Sequence, residues 1–342
     1  MRQRLADHGL RAWISVDLSD IRYLTGFSGS NAVLVLGAEA GDDLIATDGR
    51  YQDQVAQQCP DLPTLIDRDT LAAVGQRLSS WSLAVDDTVS AVALRSLPAG
   101  VQVEPSWVRD MRQVKDEDEL AILGRACRAT VAAFEHIAHE IKVGETELAV
   151  ARRLEQLFAV YGGEDRAFPS IVASGPNSAI PHHEPTTRKL ERGDLLVIDA
   201  GARVNGYCAD MTRTFIVGAD PSAWQAEIFE ATFEAQRASR LAYLADADCR
   251  EVWCVADEVI KDAGFAGRFT HGLGHGVGLD IHEAPMLGPR STSRLRDAMA
   301  VTVEPGIYLP GRGGVRIEDT LAVTASGPMV LTEAPRDLCV VG

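Results

Sequence analysis

Short apolar runs separated by turn residues fill the first third of the chain. AWISV (12–16), NAVLVL (31–36), DLIATDGRY (43–51) and SLAVDD (82–87) read as strands, with QDQVAQQC (52–59) and DTLAAVGQRL (69–78) as amphipathic helices among them. That alternation is the pattern of a small α/β domain. A seam follows at Pro105, where the chain passes through a loop into RDMRQVKDEDELAIL (109–123). Asp116, Glu117, Asp118 and Glu119 suit the positive end of a helix dipole there. The expected division is an N-terminal domain over 1–112 and a larger one over 113–342.

Beyond the seam the apolar period changes. Leu120, Leu123, Cys127, Val131, Phe134 and Ile137 recur at three and four residues, which predicts a helix to about Glu140 with one buried face. Thr146 can cap a second helix carrying Leu148, Ala151, Leu154, Leu157, Phe158 and Tyr161, stopped by Gly162-Gly163. A third is expected over about Ser222–Tyr243 and a fourth over about Arg250–Ala263. Strands are expected in PSIVAS (169–174), DLLVIDAGA (194–202), DMTRTFIVG (210–218), MAVTVEPGIYL (299–309) and GVRIEDTLAVT (314–324). Helices interleaved with antiparallel hairpins make this part an α+β domain.

Composition narrows the classes without changing that picture. At 342 residues, 46% apolar and 24% charged, the chain suits a two-domain globular protein. Its net charge of −16 disfavours nucleic acid and anionic membrane as partners. No apolar run reaches the ~18 residues of a membrane span, and MRQRLADHGLRAW lacks the continuous apolar stretch of a signal peptide, so a cytoplasmic location is expected. Six cysteines without a CxxC pair read as free thiols, and Cys249 with Cys254 lacks the second pair of a structural zinc site.

The chemistry concentrates in the second domain. LLVID ends in Asp199 after four apolar residues, and the chain returns past Asn205-Gly206 as YCADMTRTF, carrying Asp210. An Asn-Gly pair between such runs is a strong hairpin signal. If those two residues form the turn, Asp199 faces Thr212 and Asp210 lies diagonally beside it; a turn one residue earlier pairs the two aspartates directly. Either register puts both carboxylates on one face, close enough to grip two ions. Glu304 ends MAVTVE and Glu318 stands in VRIED, again at strand positions among apolar neighbours. Four carboxylates in a low-dielectric place repel or take up protons, and two divalent cations reverse that penalty. HGLGHGVGLDIHE (271–283) holds three histidines among four glycines, too glycine-rich for a helical zinc motif. His275 is the candidate ligand, with His271 and His282 flanking a substrate. In ASGPNSAIPHHEP (173–185) the residues alone leave His182 and His183 as alternatives.

With PNSAIPHHEP, VIDAGARVNGYCADMTRTF, HGLGHGVGLDIHE, VEPGIY and VRIEDT on the page, the chain resembles the prolidase and aminopeptidase P branch of the pita-bread metallopeptidases, family M24. YLTGFSGSNAVLVL (23–36) resembles the creatinase-like N-terminal domain of that branch. The resemblance implies a creatinase-like α/β domain followed by a pita-bread catalytic domain. It implies Asp199, Asp210, His275, Glu304 and Glu318 as ligands of two divalent metals, with Asp210 and Glu318 bridging. It selects His182 over His183, and makes His182, His282 and Glu304 catalytic. It places His271, Tyr308 and Arg316 around the proline and the scissile carbonyl, Arg316 as a bidentate partner for a proline carboxylate. The implied metal is manganese, with cobalt or zinc also suited to the donor set. The implied substrates are small peptides with proline second, and the implied assembly is a homodimer. The expected activity is Xaa-Pro dipeptidase. The alternative is an Xaa-Pro aminopeptidase acting on longer peptides, ahead of methionyl aminopeptidase or a non-catalytic binding protein of the same fold.

Overall fold

A computed structural model describes residues 1–342, which divide into two compact units, Met1–Arg112 and Gln113–Gly342. In the first, six strands form one sheet in the order Thr64–Ile66, Leu44–Thr47, Val33–Gly37, Ala12–Ser15, Leu83–Asp86, Gln102–Glu104. The central strand Ala12–Ser15 runs antiparallel to Val33–Gly37 and parallel to Leu83–Asp86. Covered on both faces, it is apolar along most of its length instead of alternating. Asp17 caps the Leu18–Thr25 helix by accepting from the amides of Ser19 and Asp20, and Gly26 ends it in the left-handed region at φ 76°.

The second unit is built from helix pairs over small sheets. Asp116 and Glu119 close a reciprocal capping box on the Glu117–Glu140 helix, so the acidic cluster read at the seam does act as a helix start. This helix and Glu147–Val160 bury Phe134, Ile137, Leu154 and Phe158 against the four-stranded sheet Val340–Val341, Met211–Val217, Leu195–Ala200, Ile171–Ser174. The helices Ala223–Arg240 and Cys249–Asp262 cover a second core shared with the sheet Glu283–Leu287, Gly274–Gly276, Ala300–Val303, Asp319–Ala322, Met329–Val330. A two-stranded hairpin, Gly306–Leu309 with Gly313–Arg316, is a separate sheet. No helix is long and apolar enough to cross a membrane.

Two expected strands are interrupted. MAVTVEPGIYL divides into Ala300–Val303 and Gly306–Leu309, and GVRIEDTLAVT into Gly313–Arg316 and Asp319–Ala322. Pro305 has no N–H for a ladder, and the Glu318 amide donates to Thr212 O at 3.1 Å instead of to a neighbour in its own hairpin. Each break falls at a glutamate, where the chain leaves one sheet for another.

Candidate active site

The hairpin adopts the first of the two registers open to it. Val204 pairs with Tyr207 across Asn205 (φ 46°) and Gly206 (φ 80°), and Asp199 stands opposite Thr212. One register runs through both segments with no bulge. Gly201 makes the crossing feasible, since a Cβ there would lie 1.7 Å from the Ala209 carbonyl oxygen. Asp210 therefore sits diagonally beside Asp199 on the same face, 4% and 8% exposed respectively.

The glycine-rich segment brings His275 to the same place. Gly274 and Gly276 flank it in a short strand where added Cβ atoms would meet Thr302 O at 2.0 Å and Ala284 O at 2.3 Å. The backbone approach expected of these glycines is thus a packing requirement. His275 Nδ1 lies 2.9 Å from Gly276 O, which can only accept, so Nδ1 carries the proton and Nε2 presents a lone pair. That lone pair faces Asp210 Oδ2 at 3.6 Å and Glu304 Oε1 at 3.5 Å. Burial pushes the His275 ring down to about 4, so it is neutral at pH 7.

Glu304 accepts from Thr302 Oγ1 at 3.3 Å, and Glu318 from Thr212 Oγ1 at 2.6 Å. Ligand atoms of Asp210, His275 and Glu318 lie within 4.8 Å of one another. Burial, then the neighbouring carboxylates, raises the carboxyls of Asp210 and Glu318 well above the ordinary range. Burial likewise pushes Glu304 up to about 8, against the opposing pull of Arg316. Asp199 Oδ1 and Asp210 Oδ1 are buried without any hydrogen-bond partner. Unpaired buried carboxylate oxygens are costly. Four carboxylates, two of them with an orphaned oxygen, and one imidazole with a free lone pair fit divalent cations by number, charge and donor type.

These groups line a cavity of about 720 Å³ that also takes in His182, His271, His282, Arg290 and Arg316. His182 and His282 are the two exposed imidazoles on its wall, whereas His183 is buried with Nε2 2.8 Å from Glu147 Oε2. The His275 and His282 rings meet edge to face at 4.5 Å. Glu283, the next residue, is buried and pairs with Lys115 at 2.9 Å, which anchors the end of the histidine segment. His271 is held through Nε2 by the Tyr308 hydroxyl at 2.9 Å, and burial, then Arg316, pushes its ring down to about 3.

Tyr308 and Arg316, both expected around the substrate, have partners within the chain. Tyr308 is 4% exposed, and its hydroxyl lies between His271 and Arg316 Nη1, each at 2.9 Å, so it braces the site from behind. Arg316 reaches the cavity wall, but its N–H groups already bond Thr212 Oγ1, Pro181 O, Tyr308 and Asp199 Oδ2, the last at 2.6 Å. In this arrangement the Arg316 guanidinium stands between the cavity and Asp199, which it holds through Nη2. A second guanidinium, which the sequence reading did not single out, is Arg290, exposed on the cavity wall with no ion pair inside the chain. It stands in LGPRSTSR, a loop whose pattern carries no signal beyond turn residues.

Comparison with known proteins gives a consistent picture. The chain is 42% identical over 231 residues to an Xaa-Pro dipeptidase of Pyrococcus furiosus, a stretch covering 68% of this chain and 66%, just under two thirds, of that protein. Among solved structures, an Xaa-Pro dipeptidase from Bacillus anthracis superposes with a TM-score of 0.94 at 34% identity, over 99% of this chain and 98% of that one. An X-Pro aminopeptidase from Thermotoga maritima superposes at 0.89 with 33% identity, over 99% of each chain. The model of the creatinase/prolidase N-terminal domain matches residues 1–114, and that of metallopeptidase family M24 matches residues 121–325. A creatinase-type N-terminal domain followed by a pita-bread domain with a clustered carboxylate and imidazole donor set leads to one assignment: the chain belongs to metallopeptidase family M24.

Proposed function

We propose that this chain is an Xaa-Pro dipeptidase and that Asp199, Asp210, His275, Glu304 and Glu318 would hold two divalent metal ions for it. The observation that carries the reading is a single cavity containing both this donor set and the unpaired guanidinium of Arg290. A free proline carboxylate, present only when proline is the last residue, is the natural partner for that cation. Manganese is the metal of this proposal, and cobalt or zinc suits the same donors. When bound, the ions supply neutralising charge and Lewis acidity toward water and the scissile carbonyl.

The remaining work falls to the chain's own groups. Glu304, beside His275 and Thr302, takes a proton from the attacking water and returns it to the proline nitrogen as the bond breaks. His182 and His282 donate hydrogen bonds to the developing oxyanion from separate loops. His271, locked by Tyr308, shapes the wall on which the ring of the substrate rests. Proline supplies no N–H at the scissile bond, so recognition has to rest on that wall and on Arg290. The proposal also carries a cytoplasmic homodimer, its assembly to be checked by light scattering.

Hydrolysis of an Xaa-Pro dipeptide and of the matching Xaa-Pro-Xaa tripeptide, each with manganese and with chelator, tests the reading. Metal-dependent cleavage of the dipeptide alone is expected. Efficient tripeptide cleavage would replace it with the aminopeptidase reading, and cleavage of neither with any metal would overturn both.

A further inference from the structure

Glu147 lies at the start of the Glu147–Val160 helix, with its side chain fully buried and outside the cavity. Its Oε1 accepts from Ser174 N at 2.8 Å, Ser174 Oγ at 2.7 Å and Asn177 Nδ2 at 2.9 Å. Its Oε2 accepts from His183 Nε2 at 2.8 Å, Thr186 N at 3.0 Å and Thr186 Oγ1 at 2.7 Å. All six donors belong to one segment, 174–186, which beyond the strand end at Ser174 contains only a short 3-10 turn, Gly175–Ala179, as regular structure. That loop carries His182. Since a carboxylate only accepts, the His183 proton is fixed on Nε2. The ring next to His182 in sequence is thereby turned inward and His182 is left facing the cavity.

The far side of the loop is tied to the site itself. Ser178 Oγ accepts from Gly314 N at 2.9 Å, and Pro181 O accepts from Arg316 Nη1 at 3.2 Å. The loop is thus held between a buried carboxylate on a helix and the hairpin that bears Arg316.

From this arrangement we propose that Glu147, acting through the 174–186 loop that its six bonds hold, His183 among the donors, is the positioning residue for His182. The inference rests on the reading of His182 as a donor to the scissile carbonyl. A group displaced by about 1 Å loses on the order of 100-fold in rate, so Glu147→Gln, which replaces half of the acceptor set with a donor, is expected to lower kcat by about that factor. His183→Ala removes one of the six bonds and is expected to cost about tenfold, which keeps the idea testable if the Glu147 variant does not fold.

The decisive measurement is a double-mutant cycle with His182→Ala, read as kcat on an Xaa-Pro dipeptide at saturating metal. If Glu147 acts through His182, either loop variant lowers kcat by less than roughly threefold in the His182→Ala background. Hydrogen exchange of the metal-free proteins gives a readout independent of turnover: protection should fall over 174–186 and stay unchanged over 195–200. Full kcat in both loop variants beside a disabled His182→Ala enzyme, or losses that multiply in the double variants, overturns the inference alone. A parent that leaves Xaa-Pro peptides intact, or a His182→Ala variant with full kcat, overturns the reading of the site and the inference with it.

Discussion

Replacing Glu304 by Gln should stabilise the metal-free protein while destroying the enzyme. Burial raises the Glu304 carboxyl from 4.5 to about 8. Between those two values the native state binds more protons than the unfolded chain, so native stability falls as pH rises across the window. At about 1.36 kcal/mol per pH unit, the span from 4.5 to pH 7 corresponds to about 3 kcal/mol. Gln keeps the shape and removes the charge. In chelator at pH 7 the variant should melt about 6–12 °C above the parent, taking about 2–4 °C per kcal/mol for a unit of this size. At pH 4.5 the two should melt together. With manganese the order reverses: the parent gains stability by ligand linkage, about 4 kcal/mol at roughly a thousand times Kd, and the variant gains less and hydrolyses nothing. Differential scanning fluorimetry across pH, with and without metal, reads all of this. A metal-free Glu304→Gln protein that melts below its parent at pH 7 would refute the electrostatic argument.

Arg316→Lys should weaken metal binding by about 10–100-fold, because a compact ammonium cannot hold Asp199, Tyr308 and Pro181 O together; metal titration by calorimetry checks it, and unchanged affinity counts against the orienting role. Arg290→Ala should raise KM for Xaa-Pro dipeptides by about 10–100-fold, the loss of a charge-assisted contact, with little effect on the corresponding Xaa-Pro amides. Equal effects on acid and amide would remove the carboxylate role. Gly201→Ala should cost on the order of 4 kcal/mol or prevent folding, since its Cβ would sit 1.7 Å from Ala209 O; urea denaturation measures it, and near-parental stability would show that the hairpin relaxes freely.

The parts of this site that were legible in the sequence are those governed by local rules. Asn205-Gly206 announces a turn, and the turn sets the register that brings Asp199 beside Asp210. The acids at 116–119 announce a helix start and form one. Pro305-Gly306 marks the strand break after Glu304, whereas the break at Glu318 was hidden because its change of sheet depends on a partner, Thr212 O, that lies far away in sequence. The engagement of Arg316 was hidden for a related reason: three of its four partners, Thr212, Pro181 and Asp199, are supplied by distant segments. Burial separates His182 from His183, whose buried ring bonds Glu147, a residue the helical pattern presents only as a first-turn acid.

The long reach of these contacts bears on how the enzyme matures. Asp199 meets Arg316 across 117 positions, and Thr212 meets Glu318 across 106. A nascent chain whose synthesis has not yet passed Glu318 owns only part of its donor set, however well its earlier helices have formed. On the proposed donor set, tight binding of metal requires a chain extended past Glu318, and fragments that end before it should take up ions only weakly.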